Sequence, residues 1–142
     1  MKLSSLIFSL LVLLVLVSCE DSAEKIRKDL NKGIEVLYQG NYTEASHYFK
    51  EVLEIDSTHA EAHHYLGLVY FNQQKFDKAM YEFNRAIHFD PKFGEAYKSR
   101  AQLWSRIDER DKACKDYLKA EELGVKNLSN YTSKCRGNRS SK

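Results

Sequence analysis

The residues of this 142-residue chain best suited to chemistry are five histidines and three cysteines. His59, His63 and His64 lie close together, and the first two are four apart, which would put both imidazoles on one face of a helix, as in a paired metal site. A zinc or copper site needs further donors in register, and no Cys or carboxylate is spaced to supply them, so no metal is assigned. The cysteines, Cys19, Cys114 and Cys135, contain no Cys-x-x-Cys pair, which leaves neither a dithiol redox centre nor a zinc knuckle. A glycine-rich phosphate loop, a nucleophile elbow and a paired carboxylate are also missing; no catalytic residue and no cofactor are expected.

Composition narrows the classes further. Lys and Arg number 22 against 20 Asp and Glu, and a net charge of +2 is too weak to argue for a nucleic-acid partner. With a single Pro, 6 Gly, 43% hydrophobic and 30% charged side chains, the chain reads as one small domain of packed helices.

The first 18 residues differ from the rest. Met1 and Lys2 give a positive start, and Leu3 to Val17 is apolar apart from three serines, the layout of a signal peptide. As a helix that stretch reaches about 22 Å, short of the ~30 Å hydrocarbon core, so cleavage is expected rather than a permanent span. It ends Leu16-Val17-Ser18-Cys19, which resembles the lipobox of bacterial lipoproteins. The resemblance implies cleavage after residue 18, lipidation (diacylglycerol and acyl chains such as palmitate) of Cys19, and a short tether over 19–25 holding the protein to the cell envelope, at the outer membrane in preference to the inner. The alternative is a plain secretory leader. With Cys19 used as anchor, Cys114 and Cys135 remain as a pair outside the cytoplasm. They are a candidate disulfide closing a loop of 21 residues, and otherwise two half-buried thiols.

Self-comparison gives one strong offset, 34 residues. Gly33, Gly67 and Ala101 fall in step, as do Ala45, Ala79 and Ala113; Phe49, Phe83 and Tyr117; Val36, Tyr70 and Trp104; and Val52, Ala86 and Ala120. Apolar residues within each unit follow helical spacing on either side of a polar break, so each unit is a helix pair. The small residues suit close helix crossings and the aromatics fill the gaps between them. Thr58-His59-Ala60-Glu61 and Asn41-Tyr42-Thr43-Glu44 read as capping boxes, and Asp90-Pro91 as an N-cap followed by a helix-starting proline. The middle unit, with Leu66-Gly67-x-x-Tyr70, Ala79-x-x-x-Phe83-x-x-Ala86 and Pro91, resembles the tetratricopeptide repeat.

That resemblance implies an all-α, right-handed α-solenoid of three helix-turn-helix units, 26–59, 60–93 and 94–127, with His63 as a packing residue. Val125, Leu128, Tyr131 and Cys135 then form the stripe of a short capping helix in 128–142, followed by a loose tail. The first unit departs from the family pattern, carrying Asp29 and Lys32 at packing positions and an apolar stripe Ile26-Leu30-Ile34-Leu37 rotated towards the groove.

In this family the first helix of each unit lines a concave groove. Carried over, its positions give Leu37 and Tyr38 in unit one, His64, Leu68, Phe71 and Asn72 in unit two, and Lys98, Gln102 and Arg106 in unit three. The expectation is a non-catalytic adaptor whose groove takes a protein or peptide ligand, apolar along units one and two and acidic near Lys98 and Arg106. Members that bind chaperone tails use a two-carboxylate clamp of Lys, Asn and Arg; Leu30, Ile34, Tyr65, Glu95 and Ser99 stand at those positions, so that activity is not expected. The competing expectation is a homo-oligomer in which another copy fills the groove or the open face of unit one.

Overall fold

The computed structural model describes residues 21–137; the leader, Cys19 and residues 138–142 lie outside them. Helix α1 covers 21–38 and is followed by α2 (Tyr42–Ile55), α3 (Ala60–Asn72), α4 (Phe76–Phe89), α5 (Gly94–Arg106), α6 (Arg110–Glu122) and α7 (Ser129–Gly137). Residues 21–25 are thus part of α1 and not a separate tether. Lys25 fixes that first turn by reaching Asp29 at 2.5 Å and Glu51 of α2 at 3.1 Å.

The 34-residue offset is a packing repeat. Phe49 and Phe83 are fully buried, and their rings press on Gly33 and Gly67 so closely that a Cβ at either glycine would meet ring atoms at 2.6–2.7 Å. Ala45, Ala79, Ala113, Val52, Ala86 and Ala120 are buried at the other crossings. Small against large at each crossing lets two helix backbones approach without leaving voids.

Each pair also turns the same way. Gly40, Gln74 and Asp108, themselves 34 apart, all take positive φ at the end of a first helix. Gly40 N–H donates to Leu37 O at 3.0 Å and Asn41 N–H to Val36 O at 2.9 Å; Gln74 and Lys75, then Asp108 and Glu109, repeat the two bonds. This double closure is a Schellman turn, which satisfies carbonyls the helix leaves free.

The links between units are different from the caps expected. His59, not Thr58, caps α3, its Nδ1 accepting from the Ala62 N–H at 3.2 Å. Thr58 is occupied by Asp56, which accepts from both its N–H and its hydroxyl. Asp90 accepts from the Lys92 N–H, so Asp90-Pro91-Lys92 is a turn and α5 starts only at Gly94, behind Phe93. Asn41 does precede α2, but its side chain donates to the Glu44 carboxylate without capping the backbone.

The two ends are finished by unlike means. At the N-terminal end of the described residues Asp29, buried, is held by Lys25, and Lys32 by Glu35 at 3.0 Å. They line a charged cleft of about 560 Å³ with Glu24, Arg27, Lys28 and Tyr48. An end face with no neighbour among the described residues is charged here, in keeping with the departure of unit one from the repeat pattern. At the other end α7 closes over α6: Leu128, Thr132 and Cys135 are buried, and Tyr131 stacks on Tyr117 at 4.7 Å. Cys135 is disulfide-bonded to Cys114, with Cα atoms 5.3 Å apart. Arg136, expected in the loose tail, is helical and paired with Glu121.

Candidate functional site

Helices α1, α3 and α5 form one layer, with α3 touching α5 directly. The charge and apolar surface on this layer decide what could lie against it. Of the carried-over groove residues, Tyr38 is 80% exposed at the end of α1, a large aromatic with no packing reason to face water. Leu68 and Phe71 are half-buried on α3: both pack on the cluster of Ala79, Phe83 and Leu103, and Phe71 stands 6.0 Å from the Phe76 ring. Asn72 is exposed and donates back to Leu68 O. Gln102 and Arg106 are exposed on α5, and Arg106 forms no ion pair among the described residues.

Two residues are not available, and one is spoken for. Leu37 is buried in the core with Leu30, Val36 and Phe49, so the rotated stripe of α1 turns inwards and not towards the groove. His64 is buried because Phe93, from the turn before α5, covers it edge-on at 5.0 Å. Its Nε2 lies 2.9 Å from Ser99 Oγ, while Nδ1 is buried without a partner. Burial, and secondarily the charge of Lys98, pushes the imidazole from 6.5 down to about 4, so it is neutral at physiological pH. Lys98, offered as a partner for an acidic ligand, is instead paired with Glu95 at 3.0 Å.

The histidine pair makes no metal centre among the described residues, where no group of three or more metal-ligating side chains occurs. His63 instead joins α3 to α4, with Nδ1 2.7 Å from Glu82 Oε2, Nε2 3.1 Å from Ser57 O and the ring stacked on Phe89. The residues at the clamp positions do structural work: Leu30 is buried, Ser99 meets His64, Glu95 meets Lys98, and Tyr65 stacks on Phe49 at 5.4 Å.

Three features had no clear sequence signal. Arg100 stands where Leu66 stands in the middle unit, yet it is kept by a forked bond to Asp116 at 2.7 and 2.8 Å and by Asn84 at 2.7 Å. Thr132 is fully buried because its hydroxyl donates to Glu121 and Leu128 O. Tyr65 of α3 stacks on Phe49 of α2, a contact that only the packing of α3 against α2 reveals.

Residues 36–103 match a family model described as tetratricopeptide repeat. The first tetratricopeptide domain of Spaghetti (RPAP3), solved with the HSP90 peptide SRMEEVD, superposes with a TM-score of 0.73 at 24% identity, over 83% of this chain and 95% of that one. The described residues have the fold of a tetratricopeptide-repeat solenoid. The solenoid also resembles the Arabidopsis OM64 domain, with TM-score 0.73, 17% identity, 82% of this chain and 98% of that one. The second RPAP3 domain of human, in complex with the HSP70 peptide SGPTIEEVD, superposes at 0.71 with 19% identity over 81% and 98%. A curated relative, the DnaJ homolog subfamily C member 7 homolog of Dictyostelium discoideum, is 29% identical over 108 residues. That match takes in 72% of this chain and 20% of the relative, so the chain spans about a fifth of its length.

Proposed function

We propose that this chain is a non-catalytic adaptor that binds a peptide segment of a partner protein against α1, α3 and α5 while a lipid on Cys19 holds it to the bacterial cell envelope, at the outer membrane in preference to the inner. The observation that carries the binding half is the apolar surface of the first helices, with Tyr38 exposed at the end of α1 and Leu68 and Phe71 half-buried on α3, and with Arg106 of α5 in no ion pair among the described residues. The similar domains solved with HSP90 and HSP70 peptides support a peptide as ligand. The lipobox-like Leu16-Val17-Ser18-Cys19 supports the anchor. Acyl chains at about 0.8 kcal/mol per buried CH₂ would fix the protein to a surface and raise its concentration near membrane partners, so a modest affinity would suffice.

Each half has its own test. Metabolic labelling with an alkyne-tagged palmitate marks the native chain and not Cys19→Ala; an unlabelled native chain removes the anchor from the reading. In-cell crosslinking captures a partner with the native chain and loses it with Phe71→Ala/Arg106→Glu. Capture of other copies alone, or no difference between the two chains, overturns the groove reading.

A further inference from the structure

The anchor reading leaves open which face of the solenoid meets the membrane, and α1 bears on that. Residues 21–25 are already helical, and Lys25 ties them to α2 through Glu51 at 3.1 Å. Cys19 stands two residues before Asp21, a separation of at most about 7 Å in extended chain. Acyl chains on that cysteine would hold the first turn of α1 at the level of the phospholipid headgroups, with too little chain between to let the domain stand off the surface.

Two surfaces border that first turn. One is the edge of the inter-unit turns, next to it because α1 begins beside the last turns of α2, where Lys25 meets Glu51. The cleft on that edge is lined by Asp56, Glu61 and Asp90 with His59, and by no Lys or Arg. The other surface is the outer side of α1, turned away from buried Leu30 and Leu37. Arg27, Lys28, Asn31 and Lys32 lie there between Glu24 and Glu35, at steps of three and four residues that keep them on one face about 16 Å long. All six line a single cleft with Tyr48 of α2. The three cations outnumber the two exposed carboxylates, since Asp29 is buried and held by Lys25. Their pairing is loose: Arg27 reaches Glu24 only at 3.7 Å with both side chains largely exposed, and Lys28 forms no ion pair among the described residues. Exposed pairs of this kind are worth little and exchange readily for another anion. A headgroup layer presents phosphates, which repel the carboxylate edge and attract the cations of α1.

We infer that the outer face of α1 is the membrane-contact surface, with Arg27, Lys28 and Lys32 on the phosphates of phospholipid headgroups and Tyr48 at the same level; the inference rests on the lipid-anchor half of the reading above. An amphipathic tyrosine ring suits that interface. The stack then rises from the surface unit by unit, with α7 at the end furthest from the bilayer. The layer of α1, α3 and α5 opens sideways, where a segment of a membrane partner can reach it.

The test places a nitroxide on the acylated full chain in vesicles of phosphatidylethanolamine and phosphatidylglycerol. Cys114 and Cys135 are bonded to each other and Cys19 carries the lipid on the anchor reading, so an added cysteine is the free thiol. Asn31→Cys marks the outer face of α1 and Ser57→Cys the turn edge, both at exposed positions. Collisions with a water-soluble nickel chelate should be about fivefold rarer at Asn31→Cys than at Ser57→Cys, and Lys28→Glu/Lys32→Glu should remove that difference while the chain still floats with the vesicles. Equal collision rates at the two positions, a more shielded Ser57→Cys, or a difference that survives the double charge reversal overturns the contact face and leaves the anchor intact. A native chain that floats with the vesicles no better than Cys19→Ala overturns the anchor and this inference together.

Discussion

His64 couples the stability of this solenoid to pH in a direction that can be worked out in advance. Its ring is enclosed by Tyr65, Phe83 and Phe93, with only Ser99 Oγ as partner, so the folded state holds it neutral down to about pH 4, whereas the unfolded chain takes up the proton near 6.5. Between those values the unfolded state binds more protons, and stability is lost as the pH falls. At 1.36 kcal/mol per pH unit the full loss below pH 4 is about 3 kcal/mol, of which about 2 kcal/mol falls between pH 7 and pH 5. Urea unfolding midpoints measured at both pH values, for the native chain and for His64→Phe, isolate this contribution, because His47, His59, His63 and His88 are common to both. The variant should lose about 2 kcal/mol less than the native chain over that interval. His64→Asn serves in the same comparison if the larger ring does not pack. Equal losses in native chain and variants would refute the argument from burial.

Four further outcomes follow from the packing. Gly67→Ala puts a Cβ 2.6 Å from the ring of fully buried Phe83, and urea midpoints should fall by about 1–3 kcal/mol. Gln74→Gly relieves a positive φ of 59° in a solvent-exposed turn and should raise stability by about 1 kcal/mol; a lower midpoint would show the side chain to matter more than the strain. Reduction of Cys114–Cys135, or Cys135→Ser, should cost about 3 kcal/mol for a loop of 21 residues, read as the difference in midpoint with and without dithiothreitol. Lys28→Leu/Lys32→Leu makes the N-terminal cleft apolar, and sedimentation at rising concentration should then show more self-association than the native chain does.

The period of 34 made the fold legible because its positions are those where a wrong volume is felt: Gly67 against Phe83, Gly33 against Phe49, and the alanines between. Local punctuation was read less well. Gly40 announces a left-handed residue, but Gln74 and Asp108 adopt the same φ with side chains that give no such sign, because the two Schellman bonds compensate for the strain. Thr58 and Asp90 have capping side chains, yet both are used inside the turns, and His59 and Phe93 take the positions before the helices. In the candidate site, exposure of Tyr38, Asn72, Gln102 and Arg106 agrees with helical phase alone. Leu37 and His64 do not, since one depends on the roll of α1 and the other on Phe93 arriving from the next unit, and neither is a property of its own helix. Arg100 was invisible for the converse reason: its partner Asp116 lies sixteen residues on, across a helix pair.

How the ends are closed bears on what the groove is for. A stack of helix pairs has three places to lose apolar surface to a partner, namely its two ends and the layer of first helices. One end of this solenoid is charged, with Asp29 and Lys32 held by Lys25 and Glu35. The other is covered by α7, locked through Cys114–Cys135 and the Tyr117–Tyr131 stack. Growth by end-to-end addition of copies would have to desolvate ion pairs at the first and unseat a helix at the second, and either cost opposes the self-assembly reading. Among the described residues the first-helix layer carries no such cover: Tyr38 stands in water at the end of α1, Leu68 and Phe71 are half-buried on α3, and Glu61 and Arg106 form no ion pair. On the proposed adaptor reading it is this face, and neither end, that a partner segment completes.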